Sequence, residues 1–445
     1  MLENDTIVAI ATGVGGGVGI VRISGCSALN IAEKITDKKP SPRIATFCAF
    51  RNDKGSVVDS GIILFFPAPH SFTGEDVVEL QGHGGAVVLD QLQNMVIALG
   101  ARQARPGEFS ERAFLNNKID LAQAEAIADI ITASNSFAAR SAVHSLQGVF
   151  SEKINQLIAA LVALRVYIEA SMDFPEEEVD FLTAGKIKER LSDLGQQLNS
   201  TIIDAQEGAL MTEGLTIVIA GKPNVGKSSL LNALSQRDSA IVTSIAGTTR
   251  DVLREHIQID GMPVHIIDTA GLRESNDPVE QEGIRRAKIE IENADQILLV
   301  TDSNETALLD VWPTDIVPVP QQTPILLIRN KSDLINQESS ISDSKITLSA
   351  KTGDGILLLK QHLKKLAGYT GEDAGKFSAR RRHITALKNA RRHTDAGFTL
   401  LLENNAVELL AEELRLAQQE LEAITGRFAP DDLLEKIFRS FCIGK

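Results

Sequence analysis

The chain has 445 residues and carries 59 acidic against 45 basic side chains, a formal charge of −14. That balance argues against broad, sequence-blind binding to nucleic acid, which is driven by Lys and Arg on phosphates, so any RNA contact must use local basic patches or a partner's surface. Three widely spaced cysteines (Cys26, Cys48, Cys442) argue against a disulfide framework or a Cys-based zinc site, and for a reducing, cytoplasmic setting. No apolar run approaches the roughly 18 residues of a membrane span, and no export signal opens the chain.

The length corresponds to about three domains. Residues 1–117 mix short β-like runs (Ile7–Ala11, Ile20–Ile23, Gly61–Phe66, Val77–Leu80) with Gly/Pro turns and predict an α+β domain. The glycines between 13 and 19 do not satisfy G-x-G-x-x-G in any register, so a dinucleotide site there is unsupported. Residues 118–209 turn helical: Leu121, Ala124, Ala128 and Ile131, then Ile154, Leu157, Leu161, Leu164 and Ile168, alternate spacings of three and four. The stripe returns in 372–445 as Val407, Leu410, Leu414, Ala417, Leu421 and Ile424. Such stripes are core packing between helices. The two segments are therefore expected to pack as one central helical bundle, with residues 210–371 inserted between them.

That insert opens on Leu215–Ala220, an apolar run read as a buried strand, followed by Gly221-Lys222-Pro223-Asn224-Val225-Gly226-Lys227-Ser228 and a helix starting near Ser229. The pattern G-x-x-x-x-G-K-S between strand and helix is a P-loop. Its glycines let backbone N–H groups wrap phosphates, its lysine reaches the terminal phosphates, and its serine can ligate magnesium. Asn224, Val225, Gly226, Lys227, Ser228 and Ser229 are thus phosphate-site residues. Thr243, Ser244, Ile245, Ala246, Gly247, Thr248 and Thr249 occupy the position of a first switch, where a threonine hydroxyl (Thr249) would join Ser228 on magnesium. Val264–Ile267 is a second strand, ending on Asp268-Thr269-Ala270-Gly271, the magnesium-side carboxylate and phosphate-sensing glycine of a second switch. The alternating strands and helices predict a doubly wound, mostly parallel sheet of Ras-like type, with ligands at the carboxyl ends of its strands.

A third apolar run, Ile325–Ile328, leads into Asn330-Lys331-Ser332-Asp333, the N-K-x-D form that reads guanine. A carboxylate at Asp333 can accept from both guanine N1–H and the exocyclic amine, which adenine does not offer. Ser349-Ala350-Lys351 follows another short apolar stretch and supplies the backbone N–H loop for the guanine carbonyl. The nucleotide expected is GTP. Leu272, after D-T-A-G, cannot orient water as the glutamine of Ras-like enzymes does. Two residues are candidates to assist hydrolysis instead: Asn224, whose amide oxygen can hold a monovalent cation, and Glu280, placed to position water. The alternative for Asn224 is an Asx turn that only stabilises its loop.

Several longer motifs resemble the MnmE (TrmE) family of tRNA wobble-uridine modification GTPases, a translation-factor-like branch of bacterial GTPases. They are Ser71-Phe-Thr-Gly-Glu-Asp76, Glu79-Leu-Gln-Gly-His-Gly84, Arg105-Pro-Gly-Glu-Phe-Ser-Glu-Arg-Ala-Phe114, Lys118-Ile-Asp-Leu-Ala-Gln-Ala-Glu125 and the terminal Phe441-Cys-Ile-Gly-Lys445. Gly13-Val14-Gly15-Gly16 departs from the proline-bearing, arginine-containing turn of the family. The resemblance covers the whole chain.

It implies an N-terminal domain (1–117) that dimerises and binds a tetrahydrofolate (5,10-methylene or 5-formyl form) through Arg22, Glu79, Lys118 and Lys445. It implies K⁺ held by Asn224, Thr243, Ile245 and Thr248, beside Mg²⁺. It also implies a heterotetramer with an FAD-carrying partner of the MnmG (GidA) type, and a Cys442 thiol that acts in tRNA modification. Without the family, each folate residue reads as a surface charge and Cys442 as a structural cysteine. A prenylated terminus fits Cys-Ile-Gly-Lys poorly. The other function considered is a ribosome-assembly switch like the Era or Der GTPases; a folate-dependent methyltransferase with a regulatory GTPase is a third. Arg380-Arg381-Arg382-His383 with Arg391-Arg392-His393 is one candidate RNA patch, its alternative a solvated helix face.

Overall fold

The computed structural model describes residues 5–133, 135–173, 184–235, 254–260, 262–268, 294–302, 323–335, 337–342, 344–367, 376–404, 406–427 and 431–444. Two compact units divide the chain, one made of residues 1–131, 145–195 and 389–445, the other of 132–144 and 196–388.

The first unit begins with β1 (Ile7–Ile10), β2 (Gly19–Ser24), α1 (Ala28–Thr36), β3 (Thr46–Arg51), β4 (Val57–Phe66), β5 (Val77–Gly82), α2 (Ala86–Ala98), β6 (Arg102–Gln103) and α3 (Glu108–Leu115). The strands form one sheet in the order β3-β4-β5-β2-β1-β6, antiparallel except for the β1–β6 pair. Side chains alternate between faces along each strand. Val21, Ile23, Ile63, Phe65, Val78 and Leu80 therefore share one face, sealed by Ile31 of α1 and Leu89, Leu92 and Val96 of α2. The opposite face takes Ile7 and Ala9, packed on Phe109 of α3. Arg22 pairs with Ala9 in the β1–β2 register and so stands on that second face, its guanidinium 5.8 Å from the Phe109 ring centre.

The helices of this unit are α4 (Leu121–Thr132), α6 (Val149–Asp173), α11 (Val407–Thr425) and α12 (Asp431–Arg439). Ile154, Leu157, Leu161, Leu164 and Ile168 are buried along α6, as are Leu410, Leu414, Ala417, Leu421 and Ile424 along α11, the seams expected from their spacing. Arg165 of α6 ties the two helices by donating to the Gln418 side chain at 2.8 Å. The first stripe departs at its end. Ile131 is 45% exposed, because the last turns of α4 bury the polar side chains of Glu125 and Asp129 instead.

The second unit holds α5 (Ser136–Leu146), the C-terminal part of α7 (Ala184–Glu213) and the start of α10 (Arg381–Asn404). Its sheet is built from β7 (Leu215–Ala220), β8 (Arg254–Ile259), β9 (Met262–Asp268), β10 (Gln296–Asp302), β11 (Ile325–Asn330), β12 (Ser340–Ser342) and β13 (Lys345–Thr347), with α8 (Lys227–Ser235) and α9 (Ile356–Leu366). The order is β12-β13-β11-β10-β7-β9-β8, parallel throughout except for the two edge strands β8 and β12. Near-continuous apolar strands such as Leu215–Ala220 bury both faces, as a parallel sheet requires. Leu230, Leu231 and Leu234 of α8 and Leu359 and Leu363 of α9 seal one face, and Ala294 packs with strand residues of the other.

Candidate functional site

All the motif loops that the structure describes leave the carboxyl ends of parallel strands. The β7–β9 pairing sets Ile219 opposite Asp268, so the backbone of Asp268 arrives beside the start of the P-loop. Lys227, the first residue of α8, is buried and its ammonium donates to the carbonyls of Gly221 (2.7 Å) and Lys222 (2.9 Å), closing the loop around itself. Gly226 has φ +97°, and a Cβ there would run into the Asn330 amide. Asn224 is left-handed at φ +65° with an exposed side chain. Among the described residues its amide makes no hydrogen bond, so no Asx turn is formed there. Ser228 and Ser229 follow on the exposed side of the α8 N-terminus.

The guanine-type loops are already joined to the P-loop and to each other. The Asn330 amide donates to Val225 O at 2.9 Å, and its oxygen accepts the Ala350 N–H at 2.9 Å. Asp333 lies in a short 3-10 turn, and Ser349 Oγ donates to its carboxylate at 2.7 Å. Ser332 N–H donates to Leu348 O at 3.2 Å, and Ser349 N–H to Asp354 O at 2.9 Å, holding the second loop in register. Lys331 takes φ +65° and its ammonium meets Asp302 Oδ2 at 3.0 Å. Lys351 is exposed. The arrangement leaves the half-buried Asp333 carboxylate held by one hydroxyl. The sequence motifs single out Asn330, Asp333 and Ser349–Lys351 but not Asp302, nor the hydrogen bonds by which Asn330 joins the loops.

Thr243, Ser244, Ile245, Ala246, Gly247, Thr248, Thr249, Thr269, Ala270, Gly271, Leu272, Glu280 and Lys445 lie outside the described residues, as does the side chain of Asp268.

In the first unit, Arg22 and Glu79 stand opposite each other on β2 and β5, with Arg22 Nε and Nη2 3.0 and 2.9 Å from Glu79 Oε1. Gln81 donates to the second oxygen at 3.1 Å. Lys118 donates to Pro69 O at 2.7 Å. The structure thus brings Arg22 and Glu79 together and ties Lys118 to the 69–76 loop. Behind them, the two long N-terminal motifs meet in a buried ionic cluster. Arg112 reaches Asp5 (2.5 Å), Glu75 (3.1 Å) and Glu108 (3.1 Å), and Arg102 holds Glu108 at 2.6 Å. Burial would push the Glu108 carboxyl up, but hydrogen bonds from Arg102, the Arg105 N–H and Arg112 outweigh it and hold its pKa below the usual range. The same cluster fixes Glu75, which accepts from Ser24 at 2.7 Å.

Phe438 and Phe441 are buried against Phe114, Leu121 and Ala124. Cys442 is exposed, and its carbonyl accepts the Gly107 N–H at 3.3 Å. The arginine patch is largely committed inside the chain. Arg381 pairs with Glu213 (3.3 Å) and Asp295 (3.2 Å), Arg391 with Asp395 (2.8 Å) and the Gly195 carbonyl, and His393 with Glu413 (2.6 Å).

A parallel sheet bearing a P-loop, with an N-K-x-D loop clasped to an S-A-K loop at its strand ends, defines a P-loop GTP-binding protein. Two family models match the chain: the GTP-binding protein TrmE N-terminus over residues 6–118 and the MnmE helical domain over residues 121–442. A tRNA modification GTPase MnmE from Sodalis glossinidius (strain morsitans) is 57% identical over 454 residues, spanning 100% of both chains. The chain belongs to the MnmE family. Among solved structures, the FeoB G-domain from Methanococcus jannaschii is 24% identical over 35% of this chain and 98% of its own, with a TM-score of 0.25. A GTP-binding protein from Sulfolobus solfataricus in complex with GDP is 21% identical over 48% of this chain and 67% of its own, also at 0.25. Among the described residues, no helix is long and apolar enough to cross a membrane.

Proposed function

We propose that this chain hydrolyses GTP in the modification of the wobble uridine of certain tRNAs. With a flavin-dependent MnmG (GidA) type partner that carries FAD, it would install an aminomethyl or carboxymethylaminomethyl group at C5, in the cytoplasm, as a homodimer within a heterotetramer. The observation that carries this reading is the docking of the Phe441–Gly444 tail on the N-terminal domain, in a chain that also holds a guanine-type loop pair. A simple GTPase switch has no use for an exposed thiol anchored to a second domain. The full-length identity to a tRNA modification GTPase supports the same reading.

In the nucleotide site, Lys227 and the P-loop N–H groups would bind phosphates, and Asp333 with the Ala350 and Lys351 backbone would read guanine. Mg²⁺ would be held by Ser228 and Thr249, with Asp268 on its outer side. The bare, exposed amide of Asn224 fits a K⁺ ligand, joined by Thr243, Ile245 and Thr248, and Glu280 would order the attacking water. In the N-terminal domain, the Glu79 carboxylate, fixed by Arg22 and Gln81, retains acceptor sites for an amino-pyrimidinone edge. Lys118 and Lys445 would meet the glutamate tail of the folate. Folate, when bound, supplies the one-carbon unit; the chain's residues bind and orient it, and Cys442 supplies a thiol nearby. Removing the gene and digesting cellular tRNA tests the reading: the modified wobble uridine should vanish. Its persistence alongside unprocessed ribosomal RNA would favour a ribosome-assembly switch instead.

A further inference from the structure

The C-terminal tail touches the N-terminal domain at two places where only glycine fits. Gly107, at the start of α3, has φ +69°, and a Cβ there would lie 2.5 Å from the Phe438 carbonyl oxygen and 3.1 Å from the Phe441 Cβ. Gly444 has φ +93°, and a Cβ there would collide with the Ile10 carbonyl and lie 3.2 Å from the Ala11 Cα. Both glycines are left-handed, so an L side chain is disfavoured by backbone strain as well as by contact. Between the two contacts the burial pattern reverses. Phe441 and Gly444 are buried, while Cys442 and Ile443 are exposed.

The second contact lies close to Arg22. Ala11 N–H donates to Ile20 O at 2.8 Å, and Ile10 pairs with Val21 in the β1–β2 register, one residue from Arg22. Two residues of chain span at most about 7 Å, so Gly444 keeps Cys442 close to this end of the sheet.

We propose that Gly107 and Gly444 are positioning residues, a two-point latch that holds the Cys442 thiol in the open beside the Arg22–Glu79 end of the N-terminal sheet. The proposal rests on the role given above to Cys442 in tRNA modification. Apolar anchoring by Phe438 and Phe441 binds the tail, and the glycine contacts fix where its exposed segment lies. Neither glycine lies near the P-loop or the guanine-type loops in sequence, and both belong to the other compact unit.

The test uses the full chain carrying Gly107→Ala, Gly444→Ala or Phe441→Ala, in cells lacking the natural gene and as purified protein. Three readouts are taken: GTP hydrolysis, modified wobble uridine in cellular tRNA, and hydrogen exchange of the 438–444 amides. Each variant should hydrolyse GTP within about twofold of the natural rate, while misplacement by ~1 Å lowers modification by up to about 10²-fold. Exchange in the tail should rise, and combining Gly107→Ala with Phe441→Ala should cost little more than either alone, because one release already frees the thiol. Gly444→Ala, which lies outside every helix and strand, is an independent variant that guards against misfolding of the Gly107 variant. Natural modification levels in Gly107→Ala and Gly444→Ala, or unchanged exchange in the tail, would overturn the latch. If Cys442→Ser keeps full modification, the thiol's role fails, and the exchange measurement still decides whether the latch exists.

Discussion

Asn330 and Val225, 105 residues apart, are joined by a 2.9 Å hydrogen bond from a side-chain amide to a P-loop carbonyl, and the same amide's oxygen receives the Ala350 N–H. One buried side chain thereby sets the spacing between the P-loop and the N-K-x-D and S-A-K loops. Asn330→Ala leaves a buried carbonyl and a buried N–H unpaired, each costing about 1–3 kcal/mol. Guanine nucleotide affinity should fall about 10- to 100-fold in a fluorescent-nucleotide titration, with the fold retained. An affinity equal to that of the natural chain would show that the stitch does not hold the pocket.

Potassium is expected to accelerate hydrolysis relative to sodium. Asn224 presents an amide unbound among the described residues, and no water-orienting glutamine follows D-T-A-G. A cation there would take over the charge stabilisation that an arginine finger gives elsewhere. Rates measured in the two salts should differ greatly, and Asn224→Ala should erase the difference. Equal rates for the natural chain in both salts would contradict the assignment.

Asp333→Asn should weaken GTP binding and favour xanthosine triphosphate, since the amide exchanges an acceptor for a donor at the base edge. The amide oxygen of Asn can still accept from the Ser349 hydroxyl, so the change is confined to the edge that meets the base. Competition between the two nucleotides checks this, and undiminished GTP affinity would remove Asp333 from the base site. Asp268→Ala and Glu280→Ala should instead spare affinity and lower turnover.

The ionic cluster around Arg112 makes the N-terminal domain acid-sensitive. The pKa values of Glu108 and Asp5 are held below their ordinary 4.5 and 3.8 in the folded chain. In both, burial acts upward but hydrogen bonds from arginines prevail. The unfolded chain therefore takes up protons first, and the stabilisation is complete above about pH 5 and is lost as pH falls below about 4.5 toward the folded values. Glu108→Gln should flatten that acid limb and lower stability at neutral pH by about 1–3 kcal/mol, since Arg102 and Arg112 keep Asp5 and Glu75 as partners. Thermal melts between pH 3 and 7 check it; parallel curves for both proteins would dismiss the cluster as the cause.

The nucleotide loops were legible because their chemistry demands particular residues at fixed spacing, and the helical seams because burial imposes a period of three and four. What stayed hidden was pairing between distant segments. Nothing in the sequence pairs Arg102, Glu108 and Arg112, yet Glu108 and Arg112 are 2% and 4% exposed. The arginines of α10 read as a solvated helix face or as a nucleic-acid patch, and only the structure shows Arg381 and Arg391 engaged by Glu213, Asp295 and Asp395. Gly107 is only one letter of a longer motif in the sequence, and the approach of Phe438 shows why nothing larger fits. The Asn330 bond to Val225 is likewise invisible until β7 and β11 are set on either side of β10.

The central claim is that GTP turnover and an exposed C-terminal thiol serve one tRNA modification. Nucleoside analysis of tRNA from a strain lacking the gene tests it most directly, with plasmids carrying the natural chain, Lys227→Ala or Cys442→Ser. The natural chain should restore the modified wobble uridine and both variants should fail. Purified Cys442→Ser should still hydrolyse GTP at close to the natural rate, because serine keeps the side-chain size and lacks only the thiol nucleophile. Full modification in the Lys227→Ala or the Cys442→Ser strain would contradict the account.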